Sequence, residues 1–182
     1  MESRLAQSRK KLVIVDGYNV LRSGKRYQSI TDPDYTDDAF NRARETLIND
    51  VVSFAGTDYD AFIVFDGAKN EFSQGEVESI GGAKILFSPA GQSADKVIEK
   101  LAHDARERSI ETLVVTSDAT IQDTVFGGGI DRMSANDFGW EIGNLRSEFE
   151  SDSKPYVAQK NTVADRLDPS VRAKLEALRD QK

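Results

Sequence analysis

Four aspartates carry most of the chemistry that this sequence could perform. Three of them directly follow short apolar runs, and the fourth lies near the start of a helical pattern. They are Asp16, Asp66, Asp118 and Asp95. Carboxylates gathered in one place repel each other unless a cation lies between them, and oxygen ligands of this kind suit Mg²⁺ or Mn²⁺. The set therefore indicates metal-dependent phosphodiester chemistry.

The elements that must position these carboxylates alternate between strands and helices. Strands are predicted at 12–16, 60–66, 83–87, 113–116 and, as a short fifth strand, 130–133. Helices are predicted from Asp37 to the stop at Gly56, after the cap Ser93, after Ser117-Asp118, and from Ser134 to about Phe149. This order predicts an α/β fold with a mostly parallel sheet of four to five strands. Because the carboxyl ends of parallel strands open onto one edge, the aspartates that end the strands are expected to meet there.

The remaining segments are read by their polarity. Residues 24–36 and 67–82 are predicted to be loops, and the three glycines at 127–129 a helix stop and turn. Four residues of the helix from Ser134 are expected to face inward: Phe138, Ile142, Leu145 and Phe149. Residues 151–167 are predicted to be a linker, and Asp168-Pro169 to open a last helix with Val171, Leu175 and Leu178 inside.

Composition narrows the classes of function. The 182 residues fit one domain, and the chain has no cysteine and a single histidine, His103, which excludes a disulfide framework, a thiolate metal site and a histidine-rich zinc site. The net charge is −7, but residues 1–30 and 154–182 are basic and the middle is acidic. That asymmetry fits an acidic metal pocket with basic ends that contact phosphates, and equally a solvated surface with basic tails. With no secretory signal and no apolar run of membrane-spanning length, the expected location is the cytoplasm, or an organelle stroma after removal of a targeting segment.

The segment Asp16-Gly17-Tyr18-Asn19 is the first candidate site. Gly17 would let the backbone turn sharply near a ligand, Asn19 could orient a phosphate or a water, and Tyr18 could stack on a base. The alternative is a turn in which Asp16 caps the next segment, and Asp95 and Asp118 fit helix-end positions just as well. Trp140 could also stack on a base, although packing is the commoner role. No Walker A or Gly-x-Gly-x-x-Gly pattern supports a nucleotide cofactor.

Five blocks in order resemble one known family. They are Val-Asp-Gly-Tyr-Asn-Val at 15–20, Val-Phe-Asp at 64–66, Ser-Ala-Asp-Lys-Val-Ile-Glu at 93–99, Thr-Ser-Asp at 116–118 and Phe-Gly-x-Gly at 126–129. This pattern is similar to that of the YacP-like NYN-domain family, relatives of the PIN-domain nucleases. The resemblance implies a PIN-like Rossmannoid fold of three layers and a divalent-metal endoribonuclease, and the best-known members associate with bacterial ribosomes and cut messenger RNA.

The resemblance also assigns domains and site residues. It covers a NYN/PIN-like nuclease domain at 11–150, which leaves an N-terminal extension at 1–10 and a basic linker with a C-terminal helix at 151–182. The expected metal ligands are Asp16, Asp95 and Asp118, with Asp66 as a further catalytic carboxylate, and the expected substrate contacts are Asn19, Tyr18 and Ser117. Members often carry an acid after the position of Asp95, where this chain has Lys96. Adjacent residues of a helix point about 100° apart, so Lys96 is expected to face away from the pocket.

Mg²⁺ or Mn²⁺ is thus the expected cofactor, RNA the expected substrate and the ribosome an expected partner, with no membrane involved. Two alternatives stay open. One is a DNA 5′-nuclease, since Asp-Gly after the first two strands also occurs in that class, although the helical DNA-binding motif typical of it is not found. The other is a non-catalytic RNA- or ribosome-binding module, which Lys96 and the acidic isoelectric point favour. A haloacid-dehalogenase phosphatase is disfavoured, because its first strand needs Asp-x-Asp and position 18 is Tyr.

Overall fold

The computed structural model describes residues 10–31, 36–67 and 75–153, the last three as backbone only. Its elements in chain order are β1 (Lys11–Asp16), α1 (Gly17–Ser23), α2 (Lys25–Thr31), α3 (Asp37–Ala55), β2 (Tyr59–Phe65), β3 (Val77–Ile80), β4 (Ala83–Phe87), α4 (Ala94–Glu107), β5 (Thr112–Val115), α5 (Ala119–Val125), β6 (Ile130–Met133) and α6 (Ala135–Ser153). No helix within these ranges is both long enough and apolar enough to cross a membrane.

The strands form one sheet in the order β3-β4-β2-β1-β5-β6. All neighbours pair in parallel except β3, which runs antiparallel to β4 at one edge. The mostly parallel α/β fold is confirmed, with one strand more than predicted. The extra strand is β3, inside the segment predicted to be a loop, and all four of its residues are exposed. A strand without a buried face leaves no alternation in the sequence, which is why it was missed.

Alternation along the central strand creates the two faces of the sheet. In β1, Val13 and Val15 join the core beneath α1, α2, α3 and α6, whereas Leu12 and Ile14 join the core beneath α4 and α5. The central strand β1 is thus buried on both faces, as expected of a sheet covered by helices on both sides. The expected three layers are therefore present.

The strand order reverses direction between β1 and β5. From β1 the chain moves outward through β2 to the edge strand β3 and its neighbour β4, then crosses to β5 on the other side of β1 and continues to β6. Ligands of such sheets bind in the crevice outside the carboxyl ends of the strands at this reversal. Asp16 ends β1, and residues 116–118 follow β5, so both lie at the reversal.

Most of the predicted helices are present. Ser93 caps α4 by accepting a hydrogen bond from the N–H of Lys96, and α3 ends before Gly56 as predicted. The glycines at 127–129, all with positive φ, form the turn between α5 and β6. Two short helices were missed: α1 follows β1 without a loop, and α2 occupies most of the predicted loop at 24–36. Helix α1 begins at an Asp-Gly pair that is typical of a turn, and α2 has a single buried residue, Tyr27. Neither shows the apolar spacing by which α5, a helix of the same length, was predicted.

The inward face of α6 is partly as predicted. Phe138 and Ile142 are buried and Leu145 is half-buried, but Phe149 is exposed. The prediction for Phe149 is wrong because the buried face of the helix stops short of its last turns. Trp140 is exposed as well, so packing does not account for it.

A buried carboxylate joins three helices. Asp50 of α3 is 1% exposed, and it accepts hydrogen bonds from Arg26 and Tyr27 of α2 and from Arg146 of α6. Burial and the neighbouring Asp50 charge together raise the pKa of Tyr27 far above its usual range, so its hydroxyl stays a donor. A buried charge requires such partners, and this one fixes α2, and with it the end of α1, against α3.

Several predictions lie outside the described residues. These are the N-terminal extension up to residue 9, the tips of both predicted loops at 32–35 and 68–74, and the linker and last helix beyond residue 153. Backbone contacts divide the chain into two units, with Ser147 ending the first and Glu148 beginning the second. The whole sheet belongs to the first unit.

Candidate active site

A cavity of about 350 Å³ lies outside the carboxyl ends of the strands. Its walls come from the ends of β1 and β2, the first turns of α4 and α5, and helix α1. The residues that line it are Asp16, Tyr18, Asn19, Arg22, Ser23, Asp66, Ala94, Asp95 and Asp118. The structure thus brings all four predicted aspartates to one cavity, together with Tyr18 and Asn19. Ser117, the remaining predicted residue, is not among the residues that line it.

Asp16 is the buried member of the set. Its Oδ2 accepts a hydrogen bond of 2.9 Å from the hydroxyl of Thr116, and its Oδ1 accepts one of 3.4 Å from the N–H of Asn19. The second bond caps α1. Asp16 therefore caps α1 and lines the cavity with the same side chain. The cap is confirmed, it does not exclude a role in binding a ligand, and that role stays a prediction.

Thr116 was not singled out from the sequence, yet it links two of the aspartates. Its hydroxyl donates to Asp16 and accepts a hydrogen bond of 3.1 Å from the N–H of Asp118. Asp118 in turn caps α5 through the N–H of Thr120, at 2.8 Å. The only sequence signal for Thr116 is its place directly before Ser117-Asp118.

Ser117 connects secondary-structure elements. Its N–H donates to Oδ1 of Asn19 at 2.8 Å, and its hydroxyl accepts from the N–H of Ala135 at 3.0 Å. These bonds join α1, the end of β5 and the start of α6. Ser117 therefore fixes the orientation of Asn19 on the cavity wall, and its contact with substrate stays a prediction.

Asp66 and Asp95 form the exposed side of the cavity. The buried Ser88 hydroxyl lies 3.4 Å from Oδ1 of Asp66 and accepts a 2.9 Å hydrogen bond from the N–H of Gly67, which fixes the turn after β2. Lys96 is exposed and is not among the residues that line the cavity. Helix α4 therefore contributes one charged group to the cavity wall, the carboxylate of Asp95.

The electrostatics of the cavity are visible in Asp16. The pKa of its carboxyl is raised from 3.8 to about 6. Burial is the main cause, the hydrogen bonds from Thr116 and Asn19 oppose it, and the charges of Asp95 and Asp118 add a smaller rise. A carboxyl that ionises only against burial and two like charges favours a cation beside it.

Gly17 has a different role from the one predicted. It is buried in the first turn of α1 and is not among the residues with positive φ. A Cβ at this position would lie 2.4 Å from the ring of the buried Phe65. The glycine therefore permits close packing of α1 on β2, which holds Tyr18 and Asn19 at the edge of the sheet.

The ring of Tyr18 is part of an aromatic group. Its centroid lies 5.7 Å from that of Phe40 and 5.0 Å from that of Phe65, and the guanidinium carbon of Arg22 is 5.7 Å from the Tyr18 centroid. The ring is half-buried by these contacts. One part of it faces the cavity, where stacking on a base stays a prediction.

The carboxylates that line the cavity are suitable ligands for a hard divalent cation. Four aspartates and one arginine line the cavity, so its charged groups are mostly carboxylates. Within the described ranges, no three His, Cys, Asp or Glu side chains are arranged as a ready metal cage. Mg²⁺ is usually held by one or two carboxylates, with water and substrate phosphates completing its shell. These residues fit that mode of binding.

Comparison with known proteins places the chain in a family. The sequence model of the YacP-like NYN domain matches residues 13–180. The uncharacterised protein YacP of Bacillus subtilis strain 168 is 26% identical over 155 residues, which cover 82% of this chain and 85% of that protein.

Solved structures agree with that result. A crystal structure of a mutant of Rae1 (YacP) from Bacillus subtilis matches with a TM-score of 0.63 and 25% identity, covering 92% of this chain and 99% of that one. A second Rae1 (YacP) structure matches with a TM-score of 0.61 and 24% identity, covering 94% and 95%. The fold, the order of the sequence blocks and these matches lead to one conclusion: the chain belongs to the YacP-like NYN domain family, within the PIN-like nuclease superfamily.

Proposed function

We propose that the protein is a divalent-metal-dependent endoribonuclease that hydrolyses phosphodiester bonds of RNA. The observation that carries the proposal is the convergence of Asp16, Asp66, Asp95 and Asp118 on one cavity at the reversal of strand order. Family membership supports the nuclease class. Neither a nucleotide motif nor a cysteine nucleophile is present in the sequence to favour another chemistry.

In the mechanism, Asp16, Asp95 and Asp118 would hold Mg²⁺ or Mn²⁺, and Asp66 lines the same cavity. The ion would supply a more acidic water and neutralise the charge that develops on the phosphate and the leaving oxygen. The chain contributes fixed geometry, because Thr116 and the N–H of Asn19 hold the carboxylate of Asp16 in one orientation. The carboxylate of Asp16 therefore needs little rearrangement when the substrate binds.

The side chain of Asn19 and the open side of the cavity define how substrate is held. Ser117 holds Asn19 on the wall, where the amide nitrogen can donate to a phosphate oxygen. Asp66 and Asp95 are exposed, so the cavity opens to solvent on their side. A chain that continues in both directions can pass such an opening, which favours internal cleavage. Messenger RNA on the ribosome, in the cytoplasm, is the substrate that the family resemblance implies.

The decisive experiment measures cleavage of labelled single-stranded RNA by purified protein across an Mg²⁺ titration. Asp16→Asn and Asp95→Asn are compared with Asp123→Asn, an exposed aspartate of α5 that does not line the cavity. We expect the two site variants to lose about 100-fold or more in rate, as removal of one group that stabilises transition-state charge usually causes. The Asp123 variant should cleave like the wild type. Undiminished cleavage by either site variant would reject this site.

The same protein preparations separate the alternatives. RNA that is bound but not cut with Mg²⁺ or Mn²⁺, whether free or on ribosomes, indicates a non-catalytic binding module. Cleavage of DNA flaps in preference to RNA indicates a 5′-nuclease. Cleavage of messenger only when it is bound to ribosomes supports the ribosome as a partner.

A further inference from the structure

Arg22 stands out on the wall of the cavity because of its charge. Four of the lining residues are aspartates, and Arg22 is the one cation among the described residues that line it. RNA is a polyanion, so a wall of carboxylates repels every phosphate that does not contact a bound metal ion. A cation on the same wall is where a neighbouring phosphate would gain attraction.

The position of Arg22 is fixed by its surroundings. It lies in the last turn of α1, and its guanidinium carbon is 5.7 Å from the centroid of the Tyr18 ring, within the range of a cation–π contact. The Tyr18 ring is itself packed against Phe40 and Phe65. The backbone carbonyl of Arg22 accepts a hydrogen bond from the side chain of Gln28 in α2. Its backbone is thus fixed, and the attraction to Tyr18 favours a guanidinium position beside the cavity.

The donors of Arg22 remain available. Among the described residues, its side chain forms neither an ion pair nor a hydrogen bond, although four carboxylates line the same cavity. Other arginines differ: Arg26 and Arg146 are both paired with Asp50. The side chain is exposed, so an incoming group can reach it.

We infer that Arg22 binds a backbone phosphate of the RNA beside the one that is cleaved, holding it by two parallel N–H···O hydrogen bonds. The inference rests on the proposed function for the identity of the substrate. A planar guanidinium matches two phosphate oxygens, and Arg22 lines the same cavity as the aspartates. Arg22 is therefore a substrate-binding residue that sets the register of the strand against the aspartates.

The test is the salt dependence of RNA binding. Binding of a fluorescently labelled single-stranded RNA is measured by anisotropy between low and moderate salt, with Ca²⁺ in place of Mg²⁺ and a gel to verify that the RNA is intact. Wild type is compared with Arg22→Ala, Arg22→Lys and Arg42→Ala, the last an exposed arginine of α3 that does not line the cavity. Because α1 and its packing do not depend on this exposed side chain, all variants should unfold at the wild-type temperature.

For Arg22→Ala we expect a Kd at least about fivefold higher, and a slope of log K against log salt that is smaller by about 0.7, the value for one lost phosphate contact on a single strand. Arg22→Lys should show the wild-type slope of log K against log salt, because lysine keeps the positive charge. It should recover only part of the affinity, because an ammonium group cannot form two parallel hydrogen bonds to a phosphate. Arg42→Ala should match the wild type. The inference is overturned if wild type shows no salt-dependent binding, if Arg22→Ala matches wild type, or if Arg42→Ala shows the same loss.

The binding test of Arg22 does not depend on whether the protein hydrolyses RNA. Should the protein bind RNA through Arg22 without cutting it, the proposed function fails and the assignment of Arg22 stands. Should the protein cut RNA while Arg22→Ala binds RNA as tightly as wild type does, the assignment of Arg22 fails and the proposed function stands. In a cutting enzyme, Arg22→Ala should raise KM more than it lowers kcat, because the contact exists before and during the reaction.

Discussion

At the scale of single residues, the two aspartates nearest the strand reversal do two tasks each. Asp16 and Asp118 cap α1 and α5, and both line the cavity. Capping fixes the orientation of each carboxylate before any ligand binds. Thr116 couples the two, since one hydroxyl contacts both the side chain of Asp16 and the backbone of Asp118.

The ionisation of Asp16 should lower stability at neutral pH. Its pKa is about 6 in the folded protein against 3.8 ordinarily, so the folded state binds the proton more tightly. The corresponding stability is present below about pH 4 and is lost as the pH rises through 6. We therefore expect the free energy of unfolding of Asp16→Asn, relative to that of wild type, to increase by roughly 2 kcal/mol when the pH is raised from about 4.5 to about 7.5. Urea unfolding of both proteins in EDTA at these two pH values measures the change.

The control for this experiment is Asp123→Asn, which removes one exposed carboxylate of α5. Added Mg²⁺ should stabilise wild type and leave Asp16→Asn unchanged, because only the folded wild type binds the ion. A stability difference that does not vary with pH would contradict the assignment of a buried, ionised Asp16.

At the scale of elements, the group around Asp50 holds the helices that carry the site. Asp50→Ala should destabilise the protein by about 2–4 kcal/mol, because it leaves the buried hydroxyl of Tyr27 without its acceptor and removes the partner of Arg26. Arg146→Ala should cost less than about 1 kcal/mol, since Arg146 is mostly exposed and Asp50 keeps its other donors. Chemical denaturation gives both values, and equal losses would contradict this ranking.

How much of these elements the sequence predicts depends on burial and length. Strands with two buried faces, such as β1 and β2, and long amphipathic helices, such as α3 and α4, leave strong patterns and were predicted. The edge strand β3 has no buried residue, α1 begins at an Asp-Gly pair typical of a turn, and α2 has one buried residue, so these three leave weak patterns and were missed. The aspartates were found because they lie at the end of a strong strand pattern or at the start of a strong helix pattern. Thr116 and Arg22 were missed because only the topology brings Thr116 against Asp16 and Arg22 to the cavity.

At the scale of the whole molecule, the negative charge of the chain sets the conditions for RNA binding. The net charge of the chain is −7, and the charged residues that line the cavity are four aspartates and one arginine. Without a divalent cation, this surface repels a polyanion.

Removal of metal should therefore weaken RNA binding as well as stop cleavage. We expect the Kd for single-stranded RNA to rise about tenfold or more in EDTA compared with Ca²⁺ at the same ionic strength, since the carboxylates are then unneutralised. The same comparison on Asp95→Asn should show a smaller difference. Equal affinity with and without divalent cation would contradict a metal-neutralised cavity.

The double task of the capping aspartates also bears on how such a protein changes over generations. One nucleotide substitution converts an aspartate codon to asparagine, and an asparagine side chain caps a helix about as well as an aspartate. At Asp16 the change even removes a buried charge. Selection for a folded chain alone would therefore not preserve the proposed nuclease activity. In a lineage that does not require this activity, we expect an inactive but well-folded descendant.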